Sequence, residues 1–331
     1  MIWYKKDKKD DPYNKLWSTP QWLYPFENAD KIVFPSVITV EPTNICQNKC
    51  LYCLMQLMDR QTGFMSLRLM ELISKEASQH GAAVRHGGFG EPLIHPKITE
   101  IVAISKKLDV LTTIFSNCSL LTEDMMKAFV DSGLDEIRFS SSGITPQEHN
   151  EIRRNSDYYD DFDKKTKMAF NIREKMNATR PFLTIYTNVI DYDSNICKEN
   201  IEAYVQKYIQ YADKIDIDLT MFSRVKDLDH VKPFYEKQNI NEQYKRCVTL
   251  FHKVIVHWNG DVFVCDIPYN REESHYLGNL LDKGFTVEKG FASNKMKWFR
   301  ENMSFSLNHK QFKLCESCYS NTTKWDRKKE L

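Results

Sequence analysis

Cys46, Cys50 and Cys53 crowd into eight residues at the end of Glu41-Pro-Thr-Asn-Ile-Cys-Gln-Asn-Lys-Cys-Leu-Tyr-Cys53. No histidine or fourth cysteine stands nearby, so a four-coordinate metal centre built here is one protein ligand short. A structural zinc site closes with four protein ligands, whereas an iron-sulfur cube held by three thiolates leaves one iron open to bind something else. The open position favours the cube. A fold that uses it must deliver the loop from a rigid element, and the β-branched run Val37 to Val40 feeds directly into it.

At 331 residues the chain is longer than most single domains, which implies one large domain and a smaller one. Lysine plus arginine (46) nearly equals aspartate plus glutamate (45), so no overall field draws the protein to nucleic acid or to an anionic membrane. No apolar run approaches the roughly twenty residues of a membrane span, and the N-terminus lacks the apolar core of a signal peptide. The expected setting is cytoplasmic. Nine cysteines there serve metal binding or chemistry rather than disulfides.

Residues 1–34 mix the charge run Lys5 to Asp11 with the aromatics Trp3, Tyr4, Trp17, Trp22, Tyr24 and Phe26, which are expected to pack on the main domain. From Val37 the pattern becomes strand, loop, helix, repeated, which argues for parallel strands covered by helices. Ser66 caps a helix that runs to His80 and stops at Gly81. A strand over 82–86 ends in Gly87-Gly-Phe-Gly-Glu-Pro92, Pro96 opens a helix, and a strand over 110–115 ends at Ser116-Asn-Cys118. Thr122 caps a helix stopped by Gly133, and 135–140 forms the fourth strand. Strands over 181–190 and 214–221 follow, with helices near 161–176 and 197–211. Six such units over about two hundred residues fit an incomplete α/β barrel over 35–235. Beyond it, runs over 253–258 and 261–265 alternate around Asn259-Gly260, a strong hairpin signal, and a smaller domain is expected over 236–331.

Ligands in such an architecture gather where strands end. The glycines of Gly87 to Pro92 allow close backbone approach to a ligand, and Glu91 offers an acceptor for a cationic amine. The spacing Cys-x3-Cys-x2-Cys, with Tyr52 before the last cysteine and Gly88-Phe-Gly-Glu-Pro-Leu93 about forty residues on, resembles the signature of the radical S-adenosylmethionine (SAM) superfamily. That resemblance implies a partial (β/α)6 barrel and a 4Fe-4S cluster on Cys46, Cys50 and Cys53, whose open iron chelates the amino and carboxylate groups of SAM. It also implies that Tyr52, Gly88, Gly90 and Glu91 belong to the cofactor site. In relatives a serine after strand four reaches the SAM ribose and an arginine its carboxylate. Here Ser140-Ser-Ser-Gly143 stands for the usual Ser-Leu-Asp-Gly, so Ser140 and Arg153 are the candidates, with Arg154 the alternative to Arg153.

Cys247, Cys265 and the pair Cys315-Glu-Ser-Cys318 supply four further thiols, a set that suits a zinc ribbon and an iron-sulfur cluster equally well. Cys-x12-Gly-x4-Cys followed by Cys-x2-Cys, with Leu277-Gly-Asn279 and Trp298-Phe-Arg300 between, resembles the twitch form of the SPASM domain. That domain carries an auxiliary 4Fe-4S cluster. A cluster with every iron protein-ligated is suited to electron transfer, which points to an oxidation.

The residues over 37–320 resemble the family of 2-deoxy-scyllo-inosamine dehydrogenase, a twitch enzyme that oxidises an aminocyclitol alcohol to a ketone. On that resemblance Arg224 assists loss of the alcohol proton, unless it pairs with Asp227 or Asp229. Where relatives have Thr-Asn-Gly, Ser116-Asn-Cys118 brings a thiol, and Cys118 returning a hydrogen atom would make an epimerase instead. Arg138, Tyr186, Asn188 and Trp258 are further strand-end groups for a polar substrate, and Cys197 is expected to be buried and inert. The leading expectation is a radical SAM oxidoreductase acting on a cyclitol, amino sugar or nucleoside, served by a reductant such as flavodoxin or ferredoxin. A peptide maturase competes, although about forty-five residues before Cys46 are few for a peptide-recognition domain. A zinc-stabilised binding protein is the non-enzymatic alternative.

Overall fold

The computed structural model describes residues 2–5, 11–23, 25–27, 31–154, 158–190, 195–220, 222–237, 247–303, 311–316 and 318. Ten strands are seen: β1 Ile2–Lys5, β2 Val37–Val40, β3 Ala83–His86, β4 Thr112–Ser116, β5 Glu136–Ser140, β6 Phe182–Val189, β7 Lys214–Leu219, β8 Lys253–Val256, β9 Asp261–Phe263 and β10 Tyr276–Asn279. They form one sheet in the order β1-β7-β6-β5-β4-β3-β2-β8-β9-β10. β2 to β7 run parallel in chain order, with helices between them, as an open partial (β/α)6 barrel.

Alternation along each strand sorts the residues. Ile38, Val40, Val84, Ile114, Ile137, Phe139, Leu183 and Ile185 pack in one buried cluster with Leu69, Met70, Ile73 and Ala77 of the helix Leu67–His80. Their strand neighbours carry a polar set on the other face. There Arg138 bonds Asp216, and Glu136 accepts from Thr113 (3.2 Å) and Thr184 (2.6 Å). Local signals acted as expected at Leu67–His80, where Ser66 accepts from the Leu69 amide and Gly81 takes φ +64°. Thr122 likewise caps Glu123–Asp131.

Some boundaries differ from expectation. Pro92–Ile94 first form a 3-10 turn, and the next helix starts at Ile98 rather than at Pro96. Val110 stays outside β4 because its carbonyl is held by Lys106 Nζ (3.0 Å) and Thr112 Oγ1 (2.8 Å). β7 ends at Leu219, and Met221 lies outside the described residues.

The N-terminal residues do more than pack aromatics. β1 adds an antiparallel strand to the β7 edge. Tyr13, Leu16, Trp17 and Trp22 then cluster with Val37, Ala83 and Leu111 at the barrel floor, where Tyr13 bonds Thr113 Oγ1. At the other edge β8 pairs parallel with β2, so the C-terminal hairpin continues the barrel sheet. The hairpin turns at Gly260 (φ +91°), where a side chain would stand 2.7 Å from Asn279 Oδ1. Asn279 Nδ2 donates to Asn259 O (3.1 Å) and Asp261 Oδ1 (2.8 Å), which gives Leu277-Gly-Asn279 its structural meaning. Buried Arg300 donates to the carbonyls of Leu250, Ile32 and Phe291. No helix among the described residues is long and apolar enough to cross a membrane.

Candidate functional site

The first cysteine loop follows β2 directly and is tied down from three sides. Buried Glu41 receives both Arg60 Nη1 (2.7 Å) and Arg60 Nη2, and Arg60 Nε reaches Tyr269 O (2.6 Å) beyond the hairpin. Gln56 Nε2 donates to the carbonyls of Cys50 (2.9 Å), Leu51 (3.1 Å) and Cys53 (3.2 Å). The Leu51 amide donates to Ile152 O (2.9 Å), docking the loop on the helix Pro146–Arg153. Neither Glu41–Arg60 nor Gln56 was singled out from sequence, because neither carries a motif.

Arg153 is buried while Arg154 is exposed as the helix C-cap, so Arg153 is the arginine that faces the loop. Its Nη1 lies 3.4 Å from Cys50 Sγ, and its Nη2 donates to the Ser140 carbonyl and to Ser140 Oγ (3.2 Å). Tyr52 OH meets Ser142 Oγ at 3.1 Å, and Ser141 Oγ meets His149 Nδ1 at 3.2 Å. Cys46 Sγ accepts from the Asn48 amide at 3.4 Å and lies 3.9 Å from Asn117 Nδ2. Burial, aided by neighbouring thiols, pushes the Cys46 and Cys53 thiols up to about 12.

The glycine-rich turn is engaged chiefly with protein. A side chain at Gly90 would stand 2.0 Å from the Thr43 carbonyl, so the close approach here is to the backbone that leads into Cys46. Gly88, at φ +102°, packs against Glu41. Buried Glu91 already accepts from Ser116 Oγ (2.7 Å), the Asn117 amide (2.8 Å) and the Leu93 amide (3.0 Å), and burial raises its carboxyl despite these bonds. Cys118 is fully buried in the core cluster with φ +66°, and its thiol donates to the Ser116 carbonyl at 3.4 Å. Burial pushes that thiol well up. Half-buried Cys197 packs against the same core.

The four other cysteines come together. Cys247, Cys265, Cys315 and Cys318 line one apolar pocket with Leu250, Val264, Ile267, Phe299, Met303 and Leu314, and His275 is part of its wall. Burial raises the Cys247, Cys265 and Cys315 thiols, each further raised by neighbouring thiols. Arg224 sits here too, its Nη2 3.8 Å from Cys318 Sγ. Asp266, next to Cys265, bonds Arg85 Nη2 at 2.6 Å; burial would raise its carboxyl, but Lys253, Arg85 and Arg224 hold it at about 2.

Of the substrate candidates, Arg138 lies over the rings of Phe115 (4.8 Å) and Tyr186 (5.5 Å) inside the barrel, and buried Asn188 stands at the end of β6. Trp258 lies apart from these, packed over Gly63 with its Nε1 3.3 Å from Gln61 O.

Both thiol sets fit iron-sulfur clusters. Three thiols on one loop and four lining one pocket are the ligand numbers of a cube with one open iron and of a closed one. Beside the first set, both amide atoms of buried Asn48 and Nε of Arg153 have no hydrogen-bond partner among the described residues, as a site facing a polar ligand requires.

Residues 40–169 match the model of the Radical SAM superfamily, and residues 247–319 that of the SPASM iron-sulfur cluster-binding domain. The chain is 23% identical over 302 residues to the tungsten-containing aldehyde ferredoxin oxidoreductase cofactor-modifying protein of Pyrococcus furiosus, covering 79% of this chain and 82% of that protein. The fold is similar to BtrN crystallised with AdoMet and 2-DOIA (TM-score 0.54, 16% identity, 86% of this chain and 92% of that one). It is also similar to Streptococcus suis SuiB bound to S-adenosylmethionine (TM-score 0.56, 16% identity, 95% and 79%).

Proposed function

We propose that the chain, matched by the Radical SAM and SPASM models, is a radical SAM enzyme that dehydrogenates a hydroxylated small molecule such as a cyclitol, amino sugar or nucleoside. When bound, SAM and the first cluster supply a radical that takes a hydrogen atom from the alcohol carbon, and the second cluster supplies an acceptor for one electron. The alcohol loses that hydrogen atom, then one electron and the hydroxyl proton, and becomes a carbonyl. Arg153, braced by Ser140 and next to Cys50, would hold the SAM carboxylate. Gln56 and Glu41–Arg60 keep the cysteine loop in register with the strand ends. Phe115, Arg138 and Tyr186 form the barrel wall against which a polar ring stacks.

The observation that carries the reading is the second pocket. Four protein thiols and an apolar lining leave it suited to passing an electron and unsuited to binding a polar substrate. Cys118 supports the same side, because its thiol is fully buried and already bonded to the Ser116 carbonyl.

The test is anaerobic turnover in deuterated water with a panel of cyclitols, amino sugars and nucleosides, followed by mass spectrometry. A product two mass units lighter than substrate, formed with 5'-deoxyadenosine, is expected. An unchanged composition carrying one solvent deuterium would establish epimerisation and overturn the proposal, as would turnover confined to peptides.

A further inference from the structure

The second thiol pocket has polar neighbours that its four-cysteine pattern did not announce. His275, just before β10, is 1% exposed and sits with Nε2 3.5 Å from Cys315 Sγ. Its other nitrogen, Nδ1, lies 2.8 Å from Ser274 Oγ. A ligating thiolate only accepts, so Nε2 must carry the ring proton. Nδ1 is then an acceptor, and the Ser274 hydroxyl is the donor beside it. Phe299 (5.2 Å between ring centres) and Phe312 (5.1 Å) fix the imidazole plane.

The partner cysteine of the same Cys-x2-Cys pair has a donor of its own, since Arg224 Nη2 lies 3.8 Å from Cys318 Sγ. Cys247 has the Thr249 and Leu250 backbone beside it. Cys265 has the Asp266 carboxylate beside it instead. The side-chain donors therefore lie on the Cys315–Cys318 side.

Hydrogen bonds to cluster sulfurs withdraw negative charge from them, which stabilises the reduced and more negative state and raises the potential. We propose that His275 and Arg224 are positioning residues for the second cluster, donating to Cys315 and Cys318 and raising its reduction potential so that it accepts an electron from a substrate radical. This rests on the oxidation reading for its purpose but not for its test. It also gives Arg224 a different task from assisting alcohol deprotonation.

The test is a redox titration of the full-length protein carrying both clusters, followed by electron paramagnetic resonance. The Cys46→Ala/Cys50→Ala/Cys53→Ala chain identifies the signal of the second cluster. His275→Phe keeps the ring packing and removes the donor; His275→Gln restores an N–H; Arg224→Met removes the guanidinium. At fixed potential His275→Phe and Arg224→Met should each leave the second cluster at least about tenfold more oxidised, about 59 mV for one electron, and His275→Gln should recover most of the loss. Oxidised-to-reduced ratios within twofold of wild type at full iron content would overturn the proposal. If His275→Phe fails to hold the cluster, His275 is a structural support, its tuning role is refuted, and Arg224→Met is judged alone. Substrate mass plays no part in this measurement, so failure of the oxidation reading would show separately, as an unchanged product mass.

Discussion

Cys118 gives a prediction whose sign runs against the usual rule. It holds φ +66° with its side chain fully buried. An L-residue in the left-handed region costs roughly 1–2 kcal/mol, which glycine does not incur. Cys118→Ala keeps that strain and loses one buried sulfur, worth about 1 kcal/mol by analogy with a methylene. Cys118→Gly loses about another 0.8 kcal/mol of buried surface and some chain entropy, but recovers the left-handed strain. The glycine variant should therefore be at least as stable as the alanine variant, whereas elsewhere glycine falls roughly 0.5–1 kcal/mol below alanine. Thermal unfolding of the anaerobic holoproteins, at about 2 °C per kcal/mol for a chain of this size, resolves the order. A glycine variant melting more than about 2 °C below the alanine variant would refute the strain argument. Both variants should also dehydrogenate within about threefold of wild type, since oxidation needs no thiol at this position.

Gly90→Ala should push the Thr43 carbonyl aside, because its Cβ would lie 2.0 Å away, and so loosen the segment leading into Cys46. Iron analysis should give about half the wild-type content with the second cluster's spectrum intact, and full iron would contradict this. Arg153→Lys removes a guanidinium that spans Cys50 and Ser140, and should weaken SAM binding about tenfold, close to 1.4 kcal/mol. Equilibrium dialysis giving wild-type affinity would take Arg153 out of the cofactor site. Replacing Cys46, Cys50 and Cys53 together by alanine should abolish SAM cleavage, and any deoxyadenosine released by that variant counts against the assignment. Cys315→Ala should permit abortive SAM cleavage yet stop product formation, and wild-type turnover would reduce the second cluster to a structural element.

What could be read in advance was what neighbours in sequence decide. Ser66, Gly81 and Thr122 act within one turn of their helices, so their roles followed from residue type. The cysteine sets likewise carry their meaning in spacing. Contacts across the fold were not readable. The glycine pattern announces neither the closeness of Gly90 to the Thr43 carbonyl nor the bonds that Glu91 accepts from Ser116, Asn117 and Leu93. His275 gave no signal at all, since a histidine between Ser274 and Tyr276 resembles any loop histidine. The short run at β1 has no turn or partner strand nearby in sequence to mark it as an edge strand.

The parallel pairing of β2 with β8 sets an order for biosynthesis. Val37 to Val40 leave the ribosome early, yet one side of their backbone is bonded by Lys253 to Val256, made roughly two hundred residues later. Arg60 also reaches across to the Tyr269 carbonyl from the same late region. A nascent chain that has completed all six barrel strands thus still carries its cysteine loop on a strand with one open edge. Iron delivered to such a chain would meet thiols held by Gln56 and Ile152 but not yet by the hairpin. A chain stalled before residue 256 is therefore expected to lack the β8 pairing that completes the strand leading into Cys46.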